Sequence, residues 1–329
     1  MSIKKYISLA IAGLGLCQVT AAQTSTDYTK YHNEVVHAGE IIAAEKYAEA
    51  ILIFEKLFQS YQYVFLKDYK IAAQLAMFLK DENKTLYFIR LGISDGWTMD
   101  EIVKDPFFKP LQKNPGWNSL TLQYDSLHKK YSERINQSLR AETEAMFKRD
   151  QKLDLPYYLR YGQKAKERYA IRKFAPNSER QMKRLDGILS VYGYPGEKII
   201  GNDYWASTIL AHHNSIAPDY QKTDTLYPML RPKLLMAIQR GELAPWDFAI
   251  IEDWYVAVKS THKQSAFGYI EKLNQEELEQ SEKLRKSIGL CSITTRNKLV
   301  DIQKKTGMNL YLDGAQWVEG DIILVKNGN

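Results

Sequence analysis

Apolar residues recur at helical spacing along most of the chain, and in its early part the spacing itself repeats. Ala38 returns as Ala72, Ile41 as Leu75, Ile42 as Ala76, Phe54 as Phe88 and Leu57 as Leu91, a period of 34 residues. Small and aromatic residues at fixed offsets with this period are the mark of stacked helix-turn-helix units, each burying one apolar face on the next. The pattern predicts helices near residues 27–44, 46–59, 66–79 and 82–93.

The segment KYAEAILIFEKLF, residues 46–58, resembles the second helix of a tetratricopeptide repeat, with Tyr47, Ala50, Ile51 and Phe54 at that family's packing positions. The copy at residues 80–92 departs from it, with Asp81 and Lys84 where the tyrosine and the small residue would stand. Gly92 and Gly96 punctuate the end of the array, and residues 99–117, with turn chemistry at Asp105-Pro106 and Asn114-Pro115-Gly116, read as a helical cap. Such a stack either holds a protein or peptide partner in its groove or serves as a packing scaffold for the C-terminal domain.

From 117 to 152 the chain has no proline and no glycine, and Leu120, Leu127, Tyr131, Ile135, Leu139 and Met146 recur near helical spacing, which predicts one long connecting helix. It should end before Pro156, because proline disfavours helical geometry in the residue before it. Further helices are expected near 178–192, 202–215, 225–239 and 246–258, then over 275–286 and 293–305. In the tail, residues 310–312 and 322–325 read as short strands joined by Asp313-Gly314 and Glu319-Gly320 turns, a small β-hairpin. The fold class is therefore mainly α: repeat-like hairpins at 23–116, a connecting helix at 117–155 and a helical C-terminal domain at 156–329.

Residues 1–22 have a different character. Lys4 and Lys5 precede an apolar stretch from Ile7 to Cys17 that is too short to span a bilayer, and Thr20-Ala21-Ala22 offers small residues for cleavage. This reads as a signal peptide of an exported protein, periplasmic or secreted, without a transmembrane segment after cleavage. Leu16 stands where a lipoprotein signal would carry a small residue before Cys17, which favours release over lipidation. Cys291 is then the single remaining cysteine and can close no intramolecular disulfide.

The whole chain carries 45 Lys and Arg against 39 Asp and Glu, a balance too even to argue for polyanion binding. The charge is nevertheless uneven: residues 129–184 hold sixteen basic against seven acidic side chains, interleaved with Tyr157, Tyr158, Tyr161, Tyr169 and Phe174. In an exported protein, nucleic acid is not the expected partner; anionic lipid or polysaccharide fits better, and the charged outer faces of amphipathic helices would give the same pattern.

The stretch from Gly193 to Gly268 concentrates the candidate chemistry: the adjacent His212 and His213, and Glu252-Asp253 within an apolar helical pattern. His213, Asp253 and the Asp150-Gln151 pair are the catalytic candidates, as a base oriented by a carboxylate or as a ligand set; His212, Gln221 and Gln264 are candidate binding residues. No HExxH or glycine-rich phosphate loop is present, so no cofactor or metal is specified. In order and spacing, Asp150-Gln151, Tyr194-Pro195, Ile200-Gly201, His213, Gln221, Gly241-Glu242, Asp253 and the LRKSIGL segment at 284–290 resemble a bacterial family labelled domain of unknown function 6624, over about residues 140–305. The chain departs from that family at KQSAFGYI, where Gln264 falls one residue early, and at Trp254, where an arginine is usual. The resemblance implies a helical domain and candidate positions, and no reaction. Two functions are left open: a binding or protein-interaction module, and a hydrolase-like or metal-dependent enzyme centred on His213 and Asp253.

Overall fold

A computed structural model describes residues 27–153, 156–157, 159–312 and 320–322. The signal segment at 1–22 lies outside these residues, as do Asp313, Gly314, Glu319 and most of the second strand expected for the C-terminal hairpin. Residues 310–312, its expected first strand, are not in strand geometry. The described chain is built from sixteen α-helices.

Four helices form two hairpins: α1 Tyr28–Ala43, α2 Tyr47–Ser60, α3 Leu66–Phe78 and α4 Glu82–Ser94. Asp27 and Asp81 cap α1 and α4, each accepting a backbone N–H of the first turn. Glu45 and Lys80 turn the two hairpins at φ 61° and 62°. These turns lie 35 residues apart, one more than the sequence period, so the second hairpin buries both Phe88 and Ile89 where the first buries Phe54. Then come α5 Met99–Lys104, a 3-10 turn at Pro106–Lys113 and α6 Pro115–Arg134.

The connecting helix is not continuous. It breaks at Ile135 and Asn136, both extended, and α7 starts at Gln137–Gln151. Asn136 accounts for the break: its side chain caps α7 through the Leu139 N–H at 3.0 Å, while its own N–H goes to the Ile199 carbonyl at 2.8 Å. A strong capping residue, rather than proline or glycine, ends the helical run.

Beyond it lie α8 Gln163–Tyr169, a π-helical turn at Ala170–Phe174, α9 Ala175–Val191, the single turn α10 Glu197–Ile200, α11 Trp205–Asn214, α12 Pro218–Thr223, α13 Leu226–Gln239, α14 Pro245–Lys259, α15 Gln275–Ile288 and α16 Ile293–Thr306. α11 runs between α7 and α14, and its Ile209 and Leu210 share a second core with Leu185, Leu234 and Phe248.

The two cores are not separate domains in sequence. The last helix returns to the first core, where Leu299, Ile302, Met308 and Leu310 pack with Ala38, Phe54 and Ala76. The seam is also polar: the Leu66 N–H donates to Glu197 at 2.6 Å, His32 Nε2 lies 3.1 Å from the Ile238 carbonyl, and Asn202 donates to the Asp95 carbonyl at 2.9 Å. Gly241, at φ 66°, lies so close to Tyr28 that a Cβ would fall 2.4 Å from the ring. Leu299→Ala should therefore cost about 2–5 kcal/mol, and amide hydrogen exchange should quicken in α1 to α4 as well as in α16. Unchanged exchange in α1 to α4 would contradict the shared core.

Candidate functional site

A branched cleft of about 1700 Å³ runs between the hairpins and the second core. One wall comes from three helices of the second core at helical spacing: Arg140, Phe147 and Gln151 of α7, Thr208 and His212 of α11, and Asp247, Ile251 and Trp254 of α14. Lys67 and Asp68 of α3 line it from the hairpins.

His212 is the functional group best placed in that wall. Its side chain is 27% exposed, and its Nδ1 lies 2.5 Å from Oδ2 of Asp150, which is fully buried. Phe174 packs on the ring edge-on, at 6.0 Å between centroids. A buried carboxylate on one ring nitrogen fixes the tautomer and orientation of an imidazole, leaving the ring aimed for binding or proton transfer. Asp150 thus pairs with His212 and does not join the expected cluster with His213 and Asp253. Its neighbour Gln151 lines the same cleft.

His213 faces the other way. Its Nδ1 is 2.9 Å from the Ser178 hydroxyl and its Nε2 3.3 Å from Asp224, while its carbonyl accepts from the Gln221 amide at 2.5 Å. Serine, histidine and aspartate in this arrangement have the composition of a nucleophilic triad. The ring is reversed relative to that chemistry, in which the serine meets Nε2 and the carboxylate Nδ1. All three side chains are sealed in the core, and none lines the cleft. Asp224 also accepts the Leu226 and Tyr227 N–H groups at the start of α13. The cluster holds α9, α11 and α13 together, and Gln221 belongs to it as a structural residue.

Asp253 is likewise occupied. Its Oδ1 accepts from the Ser265 hydroxyl and the N–H groups of Ala266 and Phe267 at 3.0, 2.7 and 2.6 Å, and its Oδ2 accepts the Tyr269 N–H at 2.6 Å. Burial raises its pKa to about 6 against these hydrogen bonds. On the other side of the loop, fully buried Arg285 donates to the carbonyls of Phe267 and Cys291 at 2.9 and 2.7 Å. The carboxylate takes the loop's N–H groups and the guanidinium its Phe267 carbonyl, so residues 265–269 are clamped from both sides. The expected convergence of His213 with Asp253 is therefore not found; each is committed to a different piece of backbone. Gln264 is exposed, ties its N–H to the Ser260 hydroxyl at 3.0 Å, and does not line the cleft.

Two cleft carboxylates were not singled out in the sequence. Glu197 and Asp247 are partly accessible from the cleft yet surrounded by protein, and burial, followed for Asp247 by the neighbouring charge of Glu197, raises both pKa values to about 7. Each is an acid in the first turn of a helix, which is ordinary dipole chemistry and carries no signal of a site. Among the described residues, no group of three or more His, Cys, Asp or Glu side chains is arranged to hold a metal ion. No protein-family model matches this chain, and neither does any curated protein or solved structure.

The raised carboxyls carry a pH consequence. Free Asp and Glu have pKa values near 3.8 and 4.5, so between those values and about 7 the folded protein holds protons the unfolded chain has lost. This contribution to stability is present at low pH and is lost as pH rises through about 7. His32, lowered to about 4 by burial, acts in the opposite sense, its contribution being lost as pH falls through that value. The comparison of wild type with Asp247→Asn isolates the carboxyl: the variant should melt several degrees higher above about pH 8, with the difference shrinking as pH falls and vanishing below about pH 4. Equal melting differences at about pH 8 and about pH 4 would refute the raised pKa.

Proposed function

We propose that this chain is an exported, periplasmic binding protein that takes a small polar ligand into the cleft between the helical hairpins and the second core. The observation that carries the reading is the Asp150–His212 pair, a partly exposed imidazole held by a buried carboxylate in the cleft wall. Around it the wall offers the Gln151 amide, the Thr208 hydroxyl and the Trp254 ring, with Asp247 and Glu197 deeper, near their protonation midpoints at neutral pH. Such a lining suits a ligand that both donates and accepts hydrogen bonds. The hairpins enter this reading as one wall of the site rather than as an open peptide groove, because α1 is packed against α13 and α16. Export rests on Lys4, Lys5 and the apolar stretch after them.

The resemblance to domain of unknown function 6624 belongs to the same proposal. What supports it is that its scattered residues have physical duties: Glu242 accepts the Tyr194 N–H at 3.0 Å, and Gly201, at φ 93°, lies where a Cβ would come 2.0 Å from the Tyr131 hydroxyl. A second reading, an acid-base hydrolase with His212 as the base, is favoured by the close contact of His212 with Asp150, which is the orientation a general base needs.

The test is mass spectrometry of small molecules released on denaturing the purified protein, for wild type, His212→Ala and Thr208→Trp, the last filling the cleft. A compound retained by the wild type, lost from Thr208→Trp and stabilising the wild type when added back is the expected result; equal retention by both would remove the cleft from consideration. Turnover of the compound by wild type, abolished in a folded His212→Asn variant, would replace the binding reading with the hydrolase.

A further inference from the structure

The flap that carries α8 and the π-helical turn, residues 159–174, has a surface unlike the rest of the molecule. Between 160 and 173 there are six Lys and Arg and one acid, Glu167, whose carboxylate accepts from Gln163 at 3.0 Å. Arg160, Arg168, Arg172 and Lys173 surround a shallow depression of about 260 Å³, with Arg160 stacked over the Tyr169 ring at 4.5 Å. The basic surface continues along α9 through Arg180 and Lys183, both exposed.

Large apolar side chains stand out from the same flap. Tyr161 is 100% exposed, Leu159 76% and Ile171 46%. Leu159 and Tyr161 flank Arg160 in sequence, just before Gly162, which turns the chain at φ 83°. The C-terminal end of the flap is anchored, with Ala170, Phe174 and Ala175 buried against Ile216 and Ala217.

We propose that this flap docks on the surface of an anionic phospholipid membrane, the basic side chains at the headgroup phosphates and Leu159, Tyr161 and Ile171 entering the interface. Charge complementarity selects an anionic partner. The apolar side chains select among anionic partners: a nucleic acid or a charged polysaccharide would neutralise the cations and leave the aliphatic groups in water, whereas a bilayer offers acyl chain beneath its charged surface. None of the side chains placed at the membrane lines the ligand cleft, so the proposal does not depend on what the cleft binds.

The experiment is vesicle flotation with residues 23–329, which hold the whole described fold and lack the apolar N-terminal stretch, using phosphatidylcholine vesicles with and without phosphatidylglycerol. Binding only to phosphatidylglycerol-containing vesicles, released by salt, is expected. Each basic side chain near such a surface contributes about fivefold in affinity, so Arg168→Glu combined with Arg172→Glu should weaken binding by more than about tenfold. Leu159→Ser combined with Tyr161→Ser, which leaves every charge in place, should weaken it as well, with the circular dichroism spectrum unchanged in both variants. No binding to anionic vesicles overturns the proposal. So does binding that Leu159→Ser with Tyr161→Ser leaves intact, or tighter binding to a single-stranded oligonucleotide than to the vesicles.

Discussion

The constraint on which the cleft depends is the polar seam between the two cores, where the Leu66 N–H donates to Glu197. Leu66 opens α3, and the first N–H groups of a helix have no partner of their own, so a carboxylate there satisfies a donor and meets the positive end of the helix dipole. Glu197 is delivered by a single helical turn, α10, between Gly196 and Gly201, and Gly201 is pressed against Tyr131 of α6. Bringing an acid into this seam costs desolvation, and the cost is visible as a carboxyl whose pKa has moved to about 7. This contact across the seam therefore also sets a neutral-range carboxyl in the lining of the cleft.

Much of the helical framework was legible because it rests on local chemistry. The hairpin helices begin and end within a residue or two of where apolar periodicity puts them, with side-chain caps at Asp27 and Asp81. Where a local rule misled, another local rule had won: residues 117–152 keep their apolar spacing across Ile135, but Asn136 offers the backbone a cap, and its N–H a partner on Ile199, that a continuous helix could not match. The period of 34 likewise marked both hairpins while missing the extra residue that sets their turns 35 apart.

Partnerships among the buried polar groups were not legible, because they join elements far apart in sequence. His212 and His213 are neighbours on α11, but successive helical residues point about 100° apart, so one ring enters the cleft wall and the other is sealed against α9. Asp253 stands in an apolar helical pattern, which marks it as important without saying for what; its partners are the N–H groups of a loop that begins twelve residues later. The same holds for Gly241 and Gly201, whose requirement for glycine arises from Tyr28 and Tyr131, each more than sixty residues away.

The two faces of the molecule proposed to meet other molecules are mechanically joined at Phe174. Phe174 closes the π-helical turn that presents Arg172 and Lys173 at the surface, and its ring packs edge-on against His212 in the cleft wall. His212 is thus held from two sides, by the Asp150 carboxylate through a hydrogen bond and by Phe174 through a ring contact. The hydrogen bond fixes the ring nitrogen, and the aromatic contact limits the ring's tilt. A flap held in place at a charged surface keeps the Phe174 contact, whereas a flap pulled away would remove that limit on the ring. Because Ala170, Phe174 and Ala175 share one small cluster with Ile216 and Ala217, just past the end of α11, displacement of the flap cannot be confined to the surface. It must also disturb the C-terminal end of the helix that carries His212.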